Sequence, residues 1–237
     1  MKPDTICGIK PVAALFLRRA ADVQRLFYLP AMREVAGPFC GELAKARKPY
    51  RMVEAEELEK IAGTPHHGGV VAVAKARVAT ILDPTQPPRD RFLLVLDGIG
   101  NPHNLGAIAR SAAFFGVKSL LIGEGIGHAM PSDAAYRTSE GGLEYLDLYR
   151  TRDLPRALSL MEPHYRTVAA SLGRDAMKLA DLPRDRPIAL VLGNEENGVS
   201  EPVLAACRRQ VRITGSGHVQ SLNVAQAAAV LVQALAP

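Results

Sequence analysis

The feature that most constrains the fold is a regular alternation of short apolar runs with helix-type segments over residues 92–235. Residues 92–97 and 188–192 consist almost entirely of Leu, Val, Ile, Ala and Phe, as expected of strands buried on both faces. Strands are predicted at 92–97, 118–122, 145–149, 165–171, 188–192 and 210–213, and helices at 104–115, 132–142, 153–162, 200–207 and 221–235. This order predicts an α/β fold with a mostly parallel sheet covered by helices on both faces.

Two polar loops follow apolar strands, and a third polar stretch opens the last helix. They are 101–110 (NPHNLGAIAR), 193–198 (GNEENG) and 220–224 (QSLNV). Because ligands of open parallel sheets bind at the carboxyl ends of the strands, these segments are candidates for one site. The last helix is apolar apart from two glutamines, which predicts burial nearly all round. Ser221 and Asn223 are also favoured helix caps, so plain capping is the alternative interpretation.

Taken together in this order, the three segments resemble the three motifs of the SpoU/TrmH family of RNA ribose 2′-O-methyltransferases, within the SPOUT superfamily. The first motif matches along its whole length, and the third has the Ser-Leu-Asn-Val core. The resemblance implies a SPOUT fold, whose C-terminal segment is threaded through a loop in a deep trefoil knot. It also implies S-adenosylmethionine as the methyl donor and a tRNA or rRNA ribose as the acceptor. The family often completes its active site across a two-fold axis, so a homodimer is expected.

The resemblance carries functional positions onto this chain. The matching catalytic positions are Asn104, Arg110, Glu195, Ser221 and Asn223. The matching cofactor-binding positions are Leu192, Gly193, Asn194, Ile213, Leu222 and Asn223. The arginine has been proposed as the base in the family, but a guanidinium hardly ever loses its proton in a protein. We therefore assign Arg110 the role of gripping the phosphate beside the target hydroxyl and lowering the pKa of that hydroxyl.

Five positions depart from the family pattern. Thr214 and Gly215 replace the usual Pro-Met, Glu196 stands where glycine is common, and Ala225-Gln226 replaces the expected Ser-Val. Because these positions belong to the expected cofactor pocket, a second hypothesis is a catalytically weak or inactive relative that only binds RNA. A third hypothesis, a nucleotide-binding α/β protein unrelated to RNA, leaves the match at Asn104 and Arg110 without an explanation.

The N-terminal third predicts a separate small α/β unit. Helices are expected at 9–20, 33–47 and 54–61, and strands at 25–29, 50–53 and 69–76. Residues 1–78 contain 13 Lys and Arg against 8 Asp and Glu, whereas the remainder contains 16 of each. This asymmetry predicts a polyanionic partner for the first unit. The unit resembles the substrate-binding domain, of ribosomal-protein-like fold, that precedes the catalytic domain in several family members. The candidate RNA-binding residues are Lys45, Arg47, Lys48, Arg51, His66 and His67.

Residues 79–90 contain three prolines and little to pack, so they are expected to be a linker. The expected organisation is a substrate-binding domain over 1–78 and a methyltransferase domain over 91–237.

Composition limits the class of protein. With 48% hydrophobic residues, the 237-residue chain can bury substantial cores, and it contains no apolar run suited to span a membrane. Its N-terminus lacks the apolar segment of a secretion signal. Cys7, Cys40 and Cys207 are few and far apart, so neither a disulfide framework nor a metal site is expected. These features favour a cytoplasmic protein.

Overall fold

A computed structural model describes residues 2–125, 127–173 and 175–236. It divides into two compact units, Met1–Arg77 with Pro131–Tyr145, and Val78–Met130 with Leu146–Pro237. The strands are β1 (Asp4–Cys7), β2 (Val23–Tyr28), β3 (Tyr50–Met52), β4 (Val70–Ala74), β5 (Thr80–Ile81), β6 (Phe92–Leu96), β7 (Ser119–Gly123), β8 (Asp147–Thr151), β9 (Arg166–Ala170), β10 (Met177–Lys178), β11 (Ile188–Leu192) and β12 (Arg209–Arg212). The α-helices are α1 (Ile9–Arg19), α2 (Arg33–Lys45), α3 (Ala55–Ala62), α4 (Pro102–Phe114), α5 (Asp133–Ser139), α6 (Leu154–Met161), α7 (Glu201–Ala206) and α8 (Val224–Leu235).

The first unit is built on a four-stranded sheet in the order β1-β4-β2-β3. Strand β4 runs antiparallel to β1 and β2, and β2 runs parallel to β3. The amphipathic helix α1 buries Val12, Leu15 and Phe16, while α3 contributes Leu58 and Ala62 to a second apolar cluster. Helix α5 belongs to this unit and packs beside β1, where the Asp133 carboxylate accepts a hydrogen bond of 3.1 Å from the Thr5 backbone N–H.

A buried polar cluster joins the 131–145 segment to the rest of the first unit. The Arg19 guanidinium donates to both carboxylate oxygens of Glu144, at 2.8 and 3.0 Å, and to Asp4 at 3.1 Å. The Tyr136 hydroxyl donates to the same Asp4 oxygen at 3.0 Å. Burial opposes the charge of Arg19, but hydrogen bonding and the charge of Glu144 outweigh that effect and raise the Arg19 pKa. Burial and the charge of Asp4 raise the pKa of Tyr136.

The second unit confirms the predicted α/β architecture. Its sheet has the strand order β10-β12-β9-β11-β6-β7-β8-β5, and every pairing in it is parallel. Helices α6 and α7 cover one face, where Leu93, Val95 and Val191 join the apolar cluster. Side chains alternate along a strand, so their neighbours Leu94 and Leu190 face the other side, and they too are buried. Helix α8 contacts β11 and packs against α4.

The structure differs from the sequence expectations in three places. Residues 79–90 are more than a linker, since β5 pairs with β8 at the edge of the second sheet and Ala79 and Leu82 are buried. The short strands β1, β5 and β10 were not predicted, because two to four residues carry too little periodicity. Helix α8 is not buried all round, since Val230 is 40% exposed and both of its glutamines are exposed.

Among the described residues, no helix is long and apolar enough to cross a membrane. Cys7, Cys40 and Cys207 are free thiols. Within residues 2–125, 127–173 and 175–236, no group of three or more His, Cys, Asp or Glu side chains is placed to hold a metal ion.

Candidate active site

A cavity of about 650 Å³ lies in the second unit at the carboxyl end of the sheet. Its walls come from the segments that follow β9, β11 and β12 and from the start of α8. Of the predicted site residues, those in the lining are Leu192, Gly193, Asn194, Glu195, Ile213, Ser221 and Leu222. The volume and the mixture of apolar walls with a few polar groups are typical of small-molecule sites.

One side-chain junction joins the three polar segments. The Asn104 amide donates to the Glu195 carboxylate, and its oxygen accepts a 3.3 Å hydrogen bond from the Asn223 amide. The Asn223 oxygen accepts from the Ala225 backbone N–H at 2.9 Å and so caps α8. Asn223 therefore caps the helix and contacts Asn104 at the same time, although it is not among the residues that line the cavity. The junction holds two amides and one carboxylate, groups suited to orient a hydroxyl-bearing ligand by hydrogen bonds.

The loops after β6 and β11 are fastened to each other. The Asn194 amide donates to the Gly98 carbonyl at 2.9 Å, and its oxygen accepts from the backbone N–H groups of Glu196 and Asn197. The Asp97 carboxylate accepts a 2.8 Å hydrogen bond from the Ser200 backbone N–H. Asn194 therefore shapes its own turn and holds the neighbouring loop, and it lies in the cavity lining with its side chain bound to the protein backbone.

Gly193 is required by a close approach of the backbone. A Cβ atom added there would lie 2.0 Å from the Val199 nitrogen and 2.1 Å from the Gly198 carbonyl carbon. The loop therefore folds directly back on its first residue, and any side chain would open it. This packing leaves the main chain of residues 192–194 at the cavity wall.

Arg110 lies apart from the cavity lining of its own chain. It is exposed on α4 and makes no hydrogen bond or ion pair with the described residues. Ala109, beside it, is fully buried. The charge of Arg110 is thus available to a group outside this chain and is not needed to hold α4 in place.

Of the departures from the family pattern, Glu196, Thr214 and Gly215 line the cavity, whereas Ala225 and Gln226 are not among its lining residues. Thr214 and Gly215 are exposed, and a Cβ atom at Gly215 would meet nothing within 4 Å. Glu196 is also exposed, and its backbone N–H donates to Asn194 in the turn. The junction of Asn104, Glu195 and Asn223 forms in the presence of these residues.

The residues predicted to bind RNA lie in the first unit, and the structure divides them. Lys45, Arg47 and His66 are exposed, whereas Lys48 donates to the Ala21 carbonyl at 2.7 Å. Arg51 pairs with Glu57 and lies over the Phe27 ring, 5.8 Å from its centroid, with a side chain that is 60% exposed.

His67 departs from its predicted role. It is 9% exposed, and its Nδ1 accepts a 3.1 Å hydrogen bond from the Gly69 backbone N–H. Its imidazole therefore stabilises the turn before β4 and does not face solvent. The sequence does not distinguish the two adjacent histidines, whereas the fold exposes His66 and buries His67.

Two residues with a part in the site were not singled out from the sequence. Asp97 holds the loop after β11, and His128 accepts a hydrogen bond from Gly98. The sequence contained a signal for both residues, because each lies at or after the end of a predicted strand of the parallel sheet, as the polar loops do. Residues in that position lie at the edge of the sheet where ligands bind.

Comparison with known proteins gives consistent similarities. Residues 91–233 match the model of the SpoU rRNA Methylase family, and residues 5–78 match RNA 2'-O ribose methyltransferase substrate binding. The chain is 31% identical over 223 residues to the 23S rRNA (guanosine-2'-O-)-methyltransferase RlmB of Acinetobacter baylyi, covering 92% of this chain and 86% of that protein.

It is 30% identical over 229 residues to the uncharacterized tRNA/rRNA methyltransferase YfiF of Escherichia coli, covering 96% of this chain and spanning 66% of the length of that relative. The fold is similar to the crystal structure of the SpoU methyltransferase AviRb from Streptomyces viridochromogenes in complex with AdoMet. The TM-score is 0.81 at 24% identity, over 99% of this chain and 89% of the other.

Proposed function

Because this chain belongs to the SpoU rRNA methylase family, we propose that it transfers a methyl group from S-adenosylmethionine to a ribose 2′-hydroxyl of tRNA or rRNA. The observation that carries the proposal is the junction of Asn104, Glu195 and Asn223, which gathers all three motifs beside one cavity. Relatives named as RNA methyltransferases support the same activity.

The cavity residues fit the methyl donor. Apolar walls at Leu192, Ile213 and Leu222 suit an adenine ring, and backbone groups of the Gly193 turn suit its polar edge. The carboxylate of Glu195 suits the positive charge of a sulfonium compound. The bound cofactor supplies an activated methyl group, so the protein has to place the acceptor and handle its proton.

The remaining proposed catalytic residues act on the ribose. Asn104, Ser221 and Asn223 orient the hydroxyl for in-line attack, and the Glu195 carboxylate holds the Asn104 amide in position. The Arg110 fork binds the neighbouring phosphate and favours the negative charge that develops as the hydroxyl loses its proton.

The position of Arg110 supports a homodimer. Its side chain is exposed and does not line the cavity of its own chain. In a two-fold dimer, the Arg110 of each copy would be available to the cavity of the other copy. Phe114, one turn further along α4, is 82% exposed and Val230 of α8 is 40% exposed, so the packed pair α4 and α8 offers an apolar surface. We place the dimer contact on this pair of helices.

The path of the C-terminal segment supports a trefoil knot. Strand β12 lies beside β9, yet α8 packs against α4 and β11, so residues 213–223 return past the turn that folds back on Gly193. We propose that this return passes through the loop of the second motif.

The first unit is proposed to bind the RNA substrate, through a domain of ribosomal-protein-like fold with its boundary near residue 78 and the methyltransferase domain starting near residue 91. Its cations Lys45, Arg47, Lys48 and Arg51, together with His66, are the candidate contacts. RNA substrates and three free cysteines are consistent with a cytoplasmic location.

One observation favours a second candidate function, an RNA-binding protein with weak or no methyl transfer. Gly215 has open space where a side chain would stand, and Thr214 beside it is exposed, so this part of the cavity wall offers few side-chain atoms to a cofactor. Two measurements separate the two functions. S-adenosylmethionine raises the melting temperature of a methyltransferase, and RNA from cells with the protein carries a 2′-O-methyl group that is missing without it. No thermal shift together with unchanged RNA methylation would refute the enzymatic proposal.

A further inference from the structure

Residues 127–129, which follow β7 in the chain, lie against the loop that carries the first motif. The Ala129 backbone N–H donates to the Ile99 carbonyl at 2.6 Å, and a Cβ atom at Gly100 would lie 3.3 Å from the Gly127 carbonyl oxygen. Directly after β7, Glu124 pairs with Arg150. Residues 127–129 are therefore close neighbours of residues 99 and 100.

His128 makes the side-chain contact between these two segments. Its Nδ1 accepts a hydrogen bond of 3.3 Å from the Gly98 backbone N–H. The imidazole is seated on Gly123, where an added Cβ atom would lie 2.3 Å from His128 Cε1 and 2.7 Å from Nδ1. The absence of a side chain at position 123 is therefore what admits the ring.

Gly98 is held from both sides. Its N–H is bound by His128, and its carbonyl is bound by the Asn194 amide at 2.9 Å. Three residues further on, Asn101 caps α4 by accepting from the His103 backbone N–H at 2.9 Å. The first turn of that helix then presents Asn104 to Glu195 and Asn223. Gly98 is thus joined to the junction of Asn104, Glu195 and Asn223 by a short segment that is capped at Asn101.

We propose that His128 is a positioning residue for methyl transfer, whose Nδ1 fixes Gly98 and so places Asn104 at the junction. The proposal rests on the proposed function, because it concerns the same site. His128 does not line the cavity and acts on the reacting groups only through the backbone of residues 98–101.

The test compares three variants of the full-length protein. His128→Leu replaces the imidazole with an apolar side chain of moderate size and so removes the acceptor. His128→Asn keeps an oxygen acceptor close to the position of Nδ1. His164→Leu is the control, since His164 is an exposed histidine of the same unit whose side chain contributes nothing to the junction. The measurements are kcat and KM for RNA, calorimetric Kd for S-adenosylmethionine, and hydrogen exchange of the Gly98 amide.

We expect His128→Leu to lower kcat about tenfold, the effect of one lost hydrogen bond, while KM for RNA and Kd for the cofactor change less than about twofold. Exchange of the Gly98 amide should accelerate in the same variant. His128→Asn should restore both quantities to near the parental values, and His164→Leu should leave them unchanged.

The proposal is overturned if His128→Leu keeps the parental kcat, if the Asn and Leu variants lose activity equally, or if cofactor binding weakens in parallel with kcat. If the parent protein transfers no methyl group, the proposed function fails instead. The Gly98 exchange rate then still decides whether His128 holds the loop.

Discussion

Asn104 is the residue on which the three motifs converge, since its one amide group contacts both Glu195 and Asn223. Asn223 has a double task, because its oxygen caps α8 while its nitrogen reaches Asn104. Arg110 neither caps a helix nor hydrogen-bonds to another side chain, since it is exposed and unpaired within the described residues. Truncating these side chains should therefore have different consequences for binding and for catalysis.

Arg110→Ala should lower methyl transfer about a hundredfold or more while leaving the affinity for S-adenosylmethionine nearly intact, because the guanidinium touches no part of the cavity. Asn223→Ala should damage both, since it removes the cap of the helix that closes the cavity. Calorimetry with the cofactor and a tritiated-methyl assay on RNA measure the two effects. Methyl transfer by Arg110→Ala at the parental rate would show that the active site is wrongly assigned.

At the scale of elements, the segment 131–145 decides how the first unit is completed. It leaves the second unit after Met130 and returns to it at Leu146, and between them it adds α5 and two buried polar side chains to the first unit. Glu144 is 3% exposed and faces the largely buried Arg19. A buried pair of this kind contributes little net stability over an apolar pair, but breaking it leaves the buried Arg19 charge with Asp4 as its nearest carboxylate.

Glu144→Ala should therefore destabilise the protein by up to about 3–5 kcal/mol, because Arg19 would lose its bidentate carboxylate partner in a largely buried site and keep a single hydrogen bond to the Asp4 carboxylate. Glu140→Gln is the matched control in the same segment. It weakens a partly exposed pair with Lys10 and should cost less than about 1 kcal/mol. Urea unfolding followed by circular dichroism compares the two variants. Equal and small losses would mean that this ion pair does not hold the segment.

At the scale of the whole molecule, the exposed Arg110 and the apolar surface on α4 and α8 predict a site shared between two copies. Arg110→Ala and Asn223→Ala are each expected to be inactive alone. In a mixture, each heterodimer would contain one site with both residues intact, so about a quarter of the parental activity should return after subunit exchange. Two controls, each variant incubated with itself, should stay inactive. No recovery in a mixture proven to contain heterodimers would place Arg110 in the cavity of its own chain.

The charge distribution of the whole chain leads to a second prediction at this scale. If the first unit supplies RNA affinity, changing Lys45, Arg47 and Lys48 to Gln should flatten the salt dependence of binding by about 2 in the slope of log K against log salt. The control changes three exposed cations of the second unit, Arg89, Arg91 and Arg184, which lowers the net charge equally. Filter-binding titrations over a range of salt give both slopes. Equal slopes for the two triple variants would locate the RNA surface elsewhere.

The parallel α/β sheet and most element positions could be predicted from the sequence, because hydrophobic periodicity is a local property that can be recognised without knowledge of the fold. The sequence also identified the family and the three polar segments, since their residues and order are written in the chain. Helices α1, α2 and α4 and strands β6 and β11 lie within two residues of their predicted bounds.

Which side chains contact one another could be seen only in the folded structure. Asn104, Glu195 and Asn223 are far apart in sequence, and their hydrogen bonds depend on strand order, which periodicity does not encode. The burial of His67 and the position of Arg110 outside the cavity lining of its own chain also depend on the tertiary structure. So do the contact of His128 with Gly98 and the membership of residues 131–145 in the first unit. Each results from packing between distant segments, where a side chain takes its role from neighbours that the chain brings to it only after folding.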